Sequence, residues 1–93
     1  MRAFRVEVRV MPRAALLDPQ GQAVEHALQA LGFAEAANVR VGKHLVLEVT
    51  APTKEEAAAR ARTMCERLLA NPVTEDYAVA VEVAPRPEGS PFA

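Results

Sequence analysis

An α+β fold is predicted: a small antiparallel sheet with two helices on one face, ordered strand, helix, long strand or hairpin, helix, strand. Three observations predict it. The segments Phe4–Val10 and Tyr77–Val83 alternate apolar and polar residues with a period of two, the mark of half-buried strands. Two further segments carry apolar residues at helical spacing behind recognisable N-terminal caps. Between them, NVRVGKHLVLEVT is rich in β-branched and apolar residues. At 93 residues the chain makes one small domain, read as residues 1–84 with a frayed tail at 85–93. A core of that size is only just large enough to fold alone, so association with partners is expected.

The first strand places Phe4, Val6, Val8 and Val10 on one face and Arg5, Glu7 and Arg9 on the other. Pro12 ends that pattern, and residues 11–17 form a connecting loop. The stretch LLDPQGQAVEHALQALGF then starts a helix. Asp18 is its N-cap, able to accept an orphan backbone N–H of the first turn. Pro19 falls at the first helical position, where a missing N–H costs nothing. Val24, Ala27, Leu28 and Leu31 make one stripe read as buried. Gly32 sits where a left-handed C-terminal residue is expected, with Phe33 as its apolar closing contact. Gly21 has no local reason, since inside a first turn it costs up to about 1 kcal/mol relative to alanine.

Thr53-Lys54-Glu55-Glu56 is a capping box for the second helix. Ala57, Ala61, Met64, Cys65 and Leu68 form its apolar face, and Asn71-Pro72 stops it. Tyr77, Val79, Val81 and Val83 complete the final strand. In the middle segment, Gly42-Lys43 suits a two-residue hairpin turn. Parity favours one long strand instead, because Val39, Val41, Leu45, Leu47 and Val49 are all odd-numbered. Such a strand, kinked at Gly42, would project beyond its own sheet and offer an edge to another subunit. The opposite sheet face carries Arg5, Glu7, Arg9, Val46, Glu48, Thr50, Ala78, Ala80 and Glu82. It is either solvated or packed against another layer, which its alanines would permit.

Composition excludes several classes of function. Twelve acids against eleven bases give a net charge of −1, which leaves no electrostatic footprint for nucleic acid or an anionic membrane. One tyrosine and three phenylalanines are too few for an RNA-stacking sheet. The single cysteine fits a reducing compartment, and with no apolar leader or spanning run the expected location is the cytoplasm. Cys65 falls on the buried helix face, where a small-hydrophobe role outweighs a nucleophilic one. Neither His26 nor His44 has a carboxylate or cysteine at ligand spacing, so no metal is expected. Gly42-Lys43 lacks the preceding glycine and following helix of a phosphate loop. No catalytic residue and no cofactor are predicted.

LLDPQGQAVEHALQALGF, NVRVGKHLVLEV and MCERLLANPVTEDYAVAVE together resemble the PurS family, the small subunit of phosphoribosylformylglycinamidine synthase. The resemblance runs from about Phe4 to Val83, nearly the whole chain. It departs from the family's pattern in the loop MPRAALLDP and at His44, where an aromatic ring is common. The resemblance implies a PurS-like fold whose sheet is extended by dimerisation, as a homodimer or a dimer of dimers. It also implies a non-catalytic bridging subunit of an ATP-dependent amidotransferase complex in purine biosynthesis. Its partners would be a glutaminase subunit and a large synthetase subunit, between which it would aid ammonia transfer. Asp18, Pro19, Gln20, Gly21, Arg40, Gly42, Lys43, His44, Asn71 and Pro72 are the candidate docking residues. Of these Asp18 has an evident structural duty, while Gln20, Gly21, Arg40 and Lys43 do not; Gly21 would admit a partner's backbone. The rival reading is a small ligand-binding regulatory module of ferredoxin-like arrangement, using Gly42 and Lys43 around an anion.

Overall fold

A computed structural model describes residues 1–84; the tail read at 85–93 lies outside the described residues. The order is β1 (Arg2–Pro12), α1 (Pro19–Ala30), β2 (Lys43–Ala51), α2 (Lys54–Met64), a wide helical turn (Cys65–Leu69) and β3 (Glu75–Val83). The sheet runs β2-β1-β3 with both pairings antiparallel. β1 is central: Val6 lies opposite Leu47 on one side and Val81 on the other. Phe4, Val6, Val8 and Val10 are buried on the inner face, as the period of two predicts.

α2 covers that face. Ala57, Ala61 and Cys65 are fully buried, and their small side chains let the helix approach the strands closely. Thr53 Oγ1 accepts the Glu56 N–H at 3.2 Å, the forward half of the capping box. At its C-terminus the helix widens: the Ala70 N–H reaches the Cys65 carbonyl, five residues back, at 2.9 Å. One extra residue in a turn shifts the register beyond it. Leu68 is therefore turned outward, 82% exposed, and Leu69 takes the half-buried place against the core. This corrects the apolar face read from sequence, which a continuous α-helix would have carried through Leu68.

Two further expectations change. Residues 38–50 are neither a hairpin nor one long strand. Pairing with β1 begins at Lys43, and 38–42 continues outside the sheet through Asn38, which has a positive φ of 58°. Gly42 marks the crossing, since a Cβ there would meet the Val10 carbonyl oxygen and the Met11 sulfur. Nor is the stripe of α1 buried within this chain. Val24 is 42% and Leu31 74% exposed, Ala27 is exposed and Leu28 half-buried. The reason is anchorage: α1 is tied to 38–41 rather than laid on the sheet. Its C-terminus closes as predicted, with Gly32 at φ 101° and the Phe33 N–H bonded to the Leu28 carbonyl at 3.0 Å.

Candidate functional site

The end of β1 and the starts of β2 and β3 lie at one end of the sheet, so three loops carrying most of the candidate residues meet there. Asp18 is the hub. Its Oδ1 accepts the Gly21 N–H at 3.1 Å, capping α1, and its Oδ2 accepts the Val41 N–H at 2.8 Å. The residue is 7% exposed. The Val41 bond, then the Gly21 bond, hold its carboxyl below the ordinary value of 3.8; burial opposes this and the Arg40 charge adds to it. A carboxylate fixed by backbone donors in this way joins two segments 23 residues apart.

Arg40 completes the joint. Its guanidinium donates to the Leu16 carbonyl at 2.9 Å and the Arg13 carbonyl at 2.6 Å, and its Nε lies 4.0 Å from Asp18 Oδ2. The fork is therefore spent on the chain's own loop, a duty not foreseen from the sequence. Gly21 also has an internal reason. A Cβ there would run into the Val39 carbonyl oxygen and come within 2.7 Å of Asp18 Oδ2. The backbone that approaches it is this chain's own 38–41 segment, not a partner's.

Two residues that pattern reading passed over finish the arrangement. Glu25 Oε1 accepts the Val39 N–H at 3.1 Å. Arg13 donates to the Pro72 carbonyl at 2.6 Å, its N–H bonds the Thr74 carbonyl at 2.9 Å, and it pairs with Asp76 at 3.7 Å. Through Arg13 the Asn71-Pro72 loop joins the same end. Asn71 orders that loop by accepting the Val73 N–H at 3.0 Å, while its own N–H goes to Glu75 at 2.7 Å. Arg13 and Glu25 carried only one legible signal, charge beside a loop, which surface residues share. Pro19, Gln20, Lys43, Asn71 and Pro72 are exposed around this framework. His44 stands apart, on the outer sheet face, with Nε2 3.2 Å from Glu7 Oε1.

An open groove of about 780 Å³ runs beside the joint, with Leu16, Leu17, Gln22, Glu25, His26 and Arg40 among its walls. Among the described residues no cysteine, serine or threonine lines it. Cys65 is distant, at zero exposure in the core, and burial, then the neighbouring Glu66, push its thiol pKa up. Among the described residues no group of three or more His, Cys, Asp or Glu stands close enough to hold a metal. What the arrangement can do is hold three loops rigidly and present their exposed side chains to another surface.

Residues 5–83 match the family model described as PurS: Phosphoribosylformylglycinamidine (FGAM) synthase. The phosphoribosylformylglycinamidine synthase subunit PurS of Bacillus subtilis is 40% identical over 79 residues, 85% of this chain and 93% of the relative. That of Mycobacterium leprae is 42% identical over 78 residues, 84% and 95% respectively. Among solved structures, a chain of PurLQS from Thermotoga maritima superposes with a TM-score of 0.80 at 35% identity, covering 88% of this chain and all (100%) of that one. PurS from Thermus thermophilus gives 0.76 at 39% identity, over 89% and 99%.

Proposed function

The chain belongs to the PurS family, and on that premise we propose that it works by bridging. It is a subunit of the phosphoribosylformylglycinamidine synthase complex in purine biosynthesis and is not itself catalytic. The observation that carries this is the match over nearly all of both chains to a relative solved within a PurLQS assembly. In that complex glutamine, ATP and formylglycinamide ribonucleotide yield formylglycinamidine ribonucleotide. The glutaminase subunit releases ammonia from the glutamine side chain, and the synthetase subunit uses ATP to activate the amide oxygen that ammonia displaces. This chain joins the two so that ammonia passes without escaping to solvent.

The surface supports a joining role. Leu17, Leu31, Leu68 and Val73 leave most of their apolar side chains uncovered, area that association with partners would bury. The near-uncharged stripe of α1 suits a symmetric pairing of two copies, as a homodimer or a dimer of dimers. The exposed Gln20, Lys43, Asn71 and Pro72 meet an enzyme partner, while Asp18, Gly21 and Arg40 hold the loops that present them. The reaction is cytoplasmic; no helix among the described residues is long and apolar enough to cross a membrane.

Reconstitution tests this. Leaving the chain out of a mixture of glutaminase and synthetase subunits should abolish glutamine-dependent product formation and spare ammonia-dependent synthesis. A Gln20→Arg/Lys43→Glu variant should reproduce that split in part. Full glutamine-dependent activity without the chain would refute the bridging role, and equal loss of both activities would place the chain in support of the synthetase alone.

A further inference from the structure

A second surface lies beside α2, at the margin of the core. Between that helix and β2 runs a groove of about 350 Å³ whose walls include Leu47, Arg60, Met64, Arg67, Leu68 and Leu69. The wide turn at Cys65–Leu69 holds Leu68 out over the groove at 82% exposure. Both arginines are exposed, and among the described residues neither has a hydrogen-bond or ion-pair partner. Glu66, beside Arg67 in sequence, accepts from the Tyr77 hydroxyl at 3.4 Å. Among the described residues β2 is an edge strand, paired only with β1.

We infer that this groove receives an extended, acidic and apolar segment of another subunit of the complex, with its carboxylates on Arg60 and Arg67 and an apolar side chain against Leu68 and Met64. The choice of occupant follows from charge. A symmetric contact between two copies around this groove would set the arginines of one against those of the other, at an electrostatic cost. An acidic segment instead supplies the missing partner to each guanidinium, which favours planar, paired recognition of carboxylates. Spacing refines the segment. Seven helical residues separate the arginines by about 10 Å along the axis, which an extended chain covers in about three residues. Carboxylates four positions apart, with an apolar residue midway, all face one side of an extended chain and at about 13 Å lie within reach of both long arginine side chains. The inference rests on the bridging role, whose second enzyme contact it supplies.

The test uses the full-length chain carrying Arg60→Glu and Arg67→Glu, titrated against the purified synthetase subunit and, separately, the glutaminase subunit. Affinity for one of the two should weaken by about tenfold or more, with the sedimentation coefficient of the free chain unchanged. The deficit should shrink as ionic strength rises, because rim charges are screened. Leu68→Ala should weaken the same titration and leave the other alone. Arg60→Gln/Arg67→Gln, which only removes charge, should fall between wild type and the reversal variant and guards against a misfolded double mutant. Wild-type affinity of all variants for both subunits would overturn the inference and leave the bridging role standing. Loss of self-association, with both enzyme affinities kept, would overturn it by making the groove a contact between copies. Failure of the wild-type chain to bind either subunit would overturn both readings together.

Discussion

Gly21→Ala tests the joint between α1 and the 38–41 segment at its tightest point. Two effects oppose each other. Alanine in a helical first turn gains up to about 1 kcal/mol over glycine. Against it, the new Cβ would occupy the space of the Val39 carbonyl oxygen and lie 2.7 Å from Asp18 Oδ2. Overpacking costs about 1–3 kcal/mol, and the upper part of that range applies because a backbone carbonyl cannot rotate aside. Relief requires α1 and residues 38–41 to separate, which stretches the Val41 bond to Asp18 at 2.8 Å and the Val39 bond to Glu25 at 3.1 Å. The net cost is about 1.5 kcal/mol, a factor of roughly ten in a local equilibrium. Since α1 is tied to this segment more than to the sheet, the loss should appear as local opening. Amide exchange across residues 22–30 should accelerate about tenfold, while β1 and α2 keep their protection. Unchanged or slower exchange in α1 would show that helix propensity outweighs the close approach, and the joint would lose its central argument.

Asp18 makes the same joint acid-sensitive. Its folded pKa lies below the ordinary 3.8, so its contribution is fully present above that pH and is lost as pH falls from there through the depressed value. The Val41 amide resonance should report this, titrating below 3.8 in the wild type and not at all in Asp18→Asn; a midpoint at or above 3.8 would contradict the bonding. The wide turn predicts an asymmetry between neighbours. Leu69→Ala should lower stability by about 2 kcal/mol in a denaturant titration, and Leu68→Ala by less than about 0.5; the reverse order would mean the helix runs on regularly. Cys65 is fully buried with its thiol pKa raised, so labelling by a thiol reagent at pH about 8 should proceed no faster than unfolding. Rapid native-state labelling would place the thiol at the surface.

The regular elements were readable because each rests on local chemistry. Alternation sets β1 and β3, Asp18-Pro19 and Thr53 start the helices where they begin, and Gly32 closes the first. What the sequence did not disclose depended on contacts between segments distant in the chain. Gly21 looked purposeless because its reason is the Val39 carbonyl, 18 positions downstream. Arg40 looked free because its acceptors are main-chain carbonyls of residues 13 and 16, and backbone acceptors have no side-chain identity to read. The wide turn at Cys65–Leu69 has no compositional mark either. The candidate residues divided accordingly: most lie at one end of the sheet, where Asp18, Gly21 and Arg40 are tied into the chain's own joint and Pro19, Gln20, Lys43, Asn71 and Pro72 are exposed around it.

The exposed stripe of α1 marks a limit of another kind. A repeat of Val24, Ala27, Leu28 and Leu31 at helical spacing states that one face of the helix avoids water, but it does not state which chain covers that face. Within a monomer the nearest apolar surface is the default, and here that default fails because Asp18, Glu25 and Gly21 fasten α1 to residues 38–41 instead. The joint that keeps the helix off its own sheet is thus what leaves its apolar face available. A core built from one central strand and one helix of small residues folds the sheet, and the unspent apolar area of α1 and Leu68 is left to association. For a chain whose work is to hold other subunits together, incomplete burial in the monomer is the physical form that function takes.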